Sequence, residues 1–456
     1  NRRFNMAEKL IVIGGTAAGL SAASRARKEK PDMEIQVFEK SGFVSYGACG
    51  LPYFVGGIIH DINELVAINA ESLKSKRNIS AWIHHEVILI DPEKKEVSVK
   101  NLDTDRVSIH PYDKLVIATG AIPVVPPIPG IHSNGVYYLR NMEDGIRLKA
   151  AAKENGRVCI IGGGAIGLET AEELSKAGLS VSLYEQFPRL LPFLDNAFSK
   201  ALEDTLMKRG IKVHTGTQIS EILCENGEAK GIRTAYGENE PSDIILVSAG
   251  VKPASALAEK AGLALGLNGG IIVDDEMRTS HKDIWACGDC VQMKNRITGK
   301  PAYVPLGTTA NKQGRIAGGN VAGGHDTFKG VLGSMVTKVF ELFIAATGLS
   351  QEQAVREGFD AISVSITKAD RASYYPGGRD NHICLIVDKK TGLLLGAQGI
   401  GSESIPGRIN VLATAITCGM TVEEINELDL VYAPPAAPVY DPILIAASQA
   451  MKKITE

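Results

Sequence analysis

The sequence predicts an α/β protein with two Rossmann-like dinucleotide-binding domains and a C-terminal α+β domain, and three observations carry that reading. A short apolar strand runs into GGTAAG, a helix and a second strand ending in Glu39, and the same order returns at GGGAIG with a strand ending in Glu185. Beyond about Lys329 the pattern changes to alternating strands. The length of 456 residues exceeds what one hydrophobic core usually supports.

In chain order, Lys9 to Ile13 reads as strand, Leu20 to Lys30 as helix and Glu34 to Phe38 as strand. ATGAIP, from Ala118 to Pro123, and the proline-rich VVPPIPG after it read as a crossing between domains. The second unit then runs from the strand Arg157 to Ile161 through a helix ending near Ala177 to the strand Ser180 to Tyr184, with a return crossing near Gly250 to Pro253. In the last third, Ile383 to Val387 and Leu393 to Ala397 flank DKKTG as a hairpin. Helices are expected over Gly407 to Cys418 and Thr421 to Leu428, and YAPPAAPVYDP is too rich in proline for helix or sheet.

Composition narrows the partners. A net charge of −3 offers no broad basic field, so nucleic acid and anionic membrane surfaces are not expected. No apolar run approaches the roughly 20 residues of a membrane span, and no signal peptide precedes the first strand, so a cytoplasmic location is expected. Met6 reads as the natural start, with the residues ahead of it an appended remnant. The 7 cysteines are odd in number and scattered, which points to reduced thiols. His84 and His85 read as a strand edge, and no metal site is expected.

A glycine-rich turn between strand and helix lets backbone N–H groups approach a pyrophosphate, which the positive end of the helix dipole stabilises. The second turn, with Gly162, Gly164, Ala165, Ile166 and Gly167, satisfies the full fingerprint, and Glu185 stands 23 residues after Gly162, placed to hold a ribose 2′-OH. The first has Gly14 and Gly19 but Thr16 at the middle glycine, followed by Ala17 and Ala18; Glu39, 25 residues after Gly14, supports it. A carboxylate about 4 Å from a 2′-phosphate would cost roughly 4 kcal/mol at an effective dielectric near 20, so NADH is favoured over NADPH, with Arg189 placed to soften the preference.

Cys49 lies in FVSYGACGLPYFVGG, which shows no packing periodicity. A thiol becomes a useful nucleophile where its thiolate is stabilised, near a helix N-terminus or an electron-poor ring. On its own, Cys49 reads equally as a packed core thiol. SYGACGLPY together with GGTAAG, ATGAIP, GGGAIG, ACGDC, VPLGTTANKQGR and YAPP, in this order along nearly the whole chain, resembles the single-cysteine pyridine nucleotide-disulfide oxidoreductases, and within them the coenzyme A-disulfide reductase branch.

The resemblance implies a glutathione reductase-like arrangement: an FAD-binding domain in two parts, 6–120 and 251–327, around an NAD-binding domain, 121–250, then a dimerisation domain, 328–456, of a homodimer. FAD would meet Gly14, Thr16, Ala17, Ala18, Gly19, Glu39, Lys40, Val87, Ala118, Thr119, Gly120, Gly288, Asp289, Leu306 and Thr308. NADH, with NADPH as the other possibility, would meet Gly162, Gly164, Ala165, Ile166, Glu169, Glu185 and Gly250. Cys49 would alternate between a thiolate against the flavin and a mixed disulfide with coenzyme A, with Tyr374 and Tyr432 supplying O–H groups and Tyr432 reaching across from the partner subunit. Ser21, Arg25, Lys28, Ser45 and Arg77 match the coenzyme A-binding positions.

Departures from the family bear on function. Phe54 stands where dithiol relatives carry a second cysteine, so one sulfur must do the work. Ala17 stands where the peroxidase and oxidase branches carry histidine, which tilts the reading to a small-molecule disulfide. A rhodanese domain, often appended to polysulfide-reducing relatives, is not expected, and Ala436 replaces the aromatic residue expected after the prolines. The pair Cys287 and Cys290 encloses Asp289, needed by the flavin motif, and reads as structural. Two further readings stand beside disulfide reduction: an NADH oxidase delivering electrons to O₂ from the flavin, and a non-enzymatic redox-sensing flavoprotein.

Overall fold

The computed structural model describes residues 7–153 and 155–455, so the assignment of Met6 as the start lies outside the described residues. The first sheet has five parallel strands in the order Ile284–Ala286, Lys114–Ile117, Lys9–Ile13, Glu34–Phe38 and Ser80–Trp82. Its outermost strand therefore comes from a segment far downstream. The second sheet repeats the design with Lys212–His214, Ser180–Tyr184, Arg157–Ile161, Ile244–Val247 and Val136–Tyr137, also parallel. In each, the strand order reverses beside the first strand of the unit, where α/β sheets bind ligands. The two crossings pair with one another, Ala121–Pro123 antiparallel to Val251–Pro253.

The first helix spans Ala17–Glu29 and starts three residues earlier than the pattern of apolar residues predicts. Its inner face is Ala18, Ala22, Ala23 and Ala26, all buried. Small residues are required there, because a second helix, Gly307–Val321, crosses at backbone contact. A Cβ on Gly314 would stand 2.2 Å from the Ala18 carbonyl oxygen, and one on Gly318 2.1 Å from that of Ala22.

The C-terminal domain is a five-stranded antiparallel sheet ordered Met335–Val339, Leu342–Gly348, Leu394–Gly401, Asp380–Asp388 and Ala361–Ala369. The hairpin expected at DKKTG is present, with Val387 opposite Leu394. Helices Ile405–Cys418 and Pro442–Thr455 cover one face and bury Ile405, Ile409, Leu412 and Ile443 against Ile383 and Leu385. Side chains of this kind each contribute roughly 1.5–3 kcal/mol when fully buried.

Candidate active site

Each parallel sheet delivers its first strand into a glycine turn with left-handed geometry. Gly14 has φ 104° and Gly162 has φ 116°, and a Cβ on either would stand within 2.5 Å of a carbonyl oxygen of the neighbouring strand end, Ala118 or Ser248. The helices that follow open at Thr16 and Gly164 without a side-chain cap, which leaves their first N–H groups for an anion. No atom comes within 4 Å of a Cβ built on Gly164, so a pyrophosphate can approach the backbone there. Ala17, Ala18 and Gly19 form the first turn of one helix, and Ala165 and an exposed Ile166 that of the other.

The two acidic residues do the same local work. Glu39 is buried and accepts from the Gly15 N–H at 2.7 Å and the Ser41 N–H at 2.9 Å. Glu185 is buried and accepts from the Gly163 and Phe187 N–H groups, each at 2.8 Å. Both carboxylates thus brace their own glycine loop, and a carboxylate with about four lone-pair positions keeps capacity for a ribose hydroxyl. Lys40 follows Glu39 and is exposed, whereas Val87 is buried on the strand His85–Asp91 of a separate three-stranded antiparallel sheet.

Between the cradles the crossing segments converge. The Thr119 hydroxyl donates to the Ala254 carbonyl at 2.7 Å, tying Ala118–Gly120 to the return strand, and Gly250 precedes that strand. The Gly288 N–H donates to the Gln313 side chain at 2.8 Å. Asp289 accepts from Arg140 at 3.0 Å, and the same guanidinium donates to the Ala121 carbonyl at 3.0 Å. Burial pushes the Asp289 carboxyl up while Arg140 pulls it down. Its other oxygen is buried without a partner. Leu306 opens the helix Gly307–Val321, again without a side-chain cap, and Thr308 is exposed in its first turn. Two uncapped helix ends and an orphaned acceptor between them fit a dinucleotide carrying phosphates and a polyhydroxylated chain, as FAD does.

Cys49 lies in a single 3₁₀ turn, Ala48–Gly50, just ahead of the helix Leu51–Val55. It is exposed, yet the protein around it is dense enough that burial pushes its thiol up. Glu169 pushes further in the same direction, Arg140 pulls it down, and Asp289 adds a smaller upward push. Glu169 projects from the second cradle helix, Ala165–Lys176, and accepts from the Thr337 hydroxyl at 2.7 Å; burial raises it as well. The site thus brings Cys49 within electrostatic reach of Asp289 and of Glu169. Arg140 escaped the sequence reading because its partner lies 149 residues away and no local motif marks it.

Tyr374 and Tyr432 hydrogen-bond to one another, O to O 2.9 Å, on exposed loops of the C-terminal domain. The two loops are joined by the Ala372 N–H and the Pro434 carbonyl at 3.3 Å. Among the described residues no hydrogen bond ties either tyrosine to the Cys49 segment of the same chain. The two tyrosine hydroxyls are therefore held side by side. Ser21, Arg25 and Lys28 share one face of the first helix, at the i, i+4, i+7 spacing. Ser21 donates to Asn311 at 2.7 Å, Arg25 pairs with Glu29 at 2.9 Å, Lys28 is exposed, and Arg77 donates to Ser24 at 2.9 Å. Ser45 lies against the first glycine loop, its N–H reaching the Gly15 carbonyl at 2.8 Å.

Comparison with known proteins agrees with this arrangement. The pyridine nucleotide-disulphide oxidoreductase family model matches residues 8–314, and the dimerisation domain of the same family matches 335–441. An NADH oxidase of Methanocaldococcus jannaschii is 37% identical over 98% of this chain and 99% of that protein. An NAD(P)H coenzyme A polysulfide/persulfide reductase of Pyrococcus horikoshii is 36% identical over 97% and 98%. The structure of an NAD-dependent persulfide reductase from A. fulgidus superposes with a TM-score of 0.95 at 39% identity, covering 98% of this chain and 83% of that one. The chain belongs to the pyridine nucleotide-disulphide oxidoreductases, and it is an FAD- and NAD(P)H-dependent oxidoreductase. The reading as a non-enzymatic flavoprotein is thereby set aside.

Proposed function

We propose that the chain reduces disulfides or persulfides of coenzyme A through Cys49 alone. The observation that supports this reading is one exposed thiol, Cys49, within electrostatic reach of both Asp289 and Glu169, the latter on the helix after the second glycine turn. The Cys49 thiolate attacks one sulfur of the substrate S–S bond. A mixed disulfide forms on Cys49, and the other sulfur leaves as a thiolate that takes a proton from the Tyr374–Tyr432 pair. FAD and NADH, when bound, would supply the electron pair that returns the mixed disulfide to the Cys49 thiolate and a free coenzyme A thiolate. Asp289 and Glu39 orient the first dinucleotide, and Glu169 and Glu185 the second. Arg25, Lys28 and Arg77 offer a basic face to the phosphates of coenzyme A.

An oxidase reading draws support from the M. jannaschii relative, and Ala17 in the first glycine loop weighs against it. Anaerobic stopped-flow separates the two: NADH-reduced protein should regain its oxidised spectrum on addition of coenzyme A disulfide. Cys49→Ser should abolish that return while sparing flavin reduction. Normal turnover of coenzyme A disulfide by the serine variant would exclude the mechanism.

A further inference from the structure

The segment after Glu185 wraps back onto the second glycine loop. The Phe187 N–H reaches Glu185 at 2.8 Å, and the Leu191 N–H reaches the Gly163 carbonyl at 3.2 Å. Arg189 sits within this wrap, so its backbone stands beside the place where a ribose 2′ substituent would meet Glu185. A guanidinium at such a place has the fork and the charge to bind a 2′-phosphate. Its side chain is instead engaged elsewhere. One terminal nitrogen donates to Asn196 at 2.9 Å, and the other donates to both carboxylate oxygens of Glu352, at 2.9 and 3.0 Å. The Arg189 side chain is 20% exposed and that of Glu352 63%.

Glu352 belongs to the C-terminal domain, where it is the second residue of the short helix Gln351–Arg356. Ser350 caps that helix through a capping box with Gln353, so the position of Glu352 is fixed by its own element. An ion pair this exposed adds little to stability, and its effect lies in where it points the guanidinium.

The geometry points to Glu352 as a specificity residue for the pyridine nucleotide: by holding Arg189, it withholds the cation that would otherwise accept a 2′-phosphate. Glu352 thus acts with Glu185 to favour NADH, although it lies in a different domain from the nucleotide cradle. This rests on the second cradle binding the pyridine nucleotide and is independent of the disulfide substrate.

Calorimetric titration of the FAD-loaded protein with 2′,5′-ADP and with 5′-AMP tests it, since neither probe turns over. Glu352→Gln should tighten 2′,5′-ADP about three- to fivefold, the upper worth of the exposed ion pair that no longer holds Arg189, and leave 5′-AMP within about twofold. The gain should vanish when Arg189→Gln is added. Unchanged 2′,5′-ADP binding by Glu352→Gln would overturn the proposal. An equal gain in the Arg189→Gln background would overturn it too, by tracing the effect to lost negative charge alone. Failure of both probes to bind the unaltered protein would remove the nucleotide site on which the proposal stands. Coenzyme A disulfide turnover, scored separately, decides the function proposed for Cys49 without bearing on any of these outcomes.

Discussion

At Cys49 two charges of opposite sign compete for one proton. Glu169 opposes the thiolate and Arg140 favours it, so their removal should move the thiol in opposite directions. Alkylation of Cys49 at pH 8, followed by peptide mass, should slow several-fold in Arg140→Gln and quicken in Glu169→Gln. Equal rates in the two variants would show that neither side chain governs the sulfur. Glu39 and Glu185 were readable from spacing alone because each closes a loop within one local unit, 24 and 22 residues from the glycine N–H it accepts. Arg140 and Thr337 carry no such local sign. Their partners Asp289 and Glu169 come from distant segments, 149 and 168 residues away, and only the folded chain joins them.

Among the elements, the contact between helices Ala17–Glu29 and Gly307–Val321 governs the first cradle, because the N-termini of both serve it. A methyl group at Gly318 meets a backbone oxygen, which cannot rotate aside, so the helices must separate. Gly318→Ala should lower stability to urea by about 1–3 kcal/mol, the usual cost of overpacking, and weaken FAD retention. Unchanged values of both would show that the helices can part without loss. The same crowding explains where sequence reading missed the start of the first helix. A Cβ on Gly19 would stand 1.9 Å from the Gly14 carbonyl oxygen, so this glycine, assigned to the turn, is already helical and packs against the loop that precedes it. Apolar periodicity is blind to a helical turn made of Ala17, Ala18 and Gly19.

At the scale of the whole molecule, the second cradle helix is fastened to the C-terminal domain. Glu169 accepts from Thr337, and buried Glu172 accepts from the Phe340 N–H at 2.7 Å. Among the described residues no hydrogen bond joins the paired tyrosines to the Cys49 segment of their own chain, so a complete site is expected to combine Cys49 of one protomer with the tyrosines of its partner. Neither Cys49→Ser nor Tyr374→Phe/Tyr432→Phe homodimers should turn over coenzyme A disulfide well. Heterodimers formed by mixing the two should regain about one working site per pair. If the mixture stays as inactive as its parents, each protomer serves itself.

The distant origin of the strand Ile284–Ala286 has a bearing on biosynthesis. It is the outer strand of the first sheet, beside Lys114–Ile117, and the whole second sheet is encoded between them. A nascent chain whose first 255 or so residues had emerged from the ribosome would therefore hold a finished second sheet inside an open first sheet. Closure of that gap needs contacts between segments far apart in the chain, which form slowly. Capture of the flavin is accordingly expected late, after the inserted unit has set the distance between the two ends.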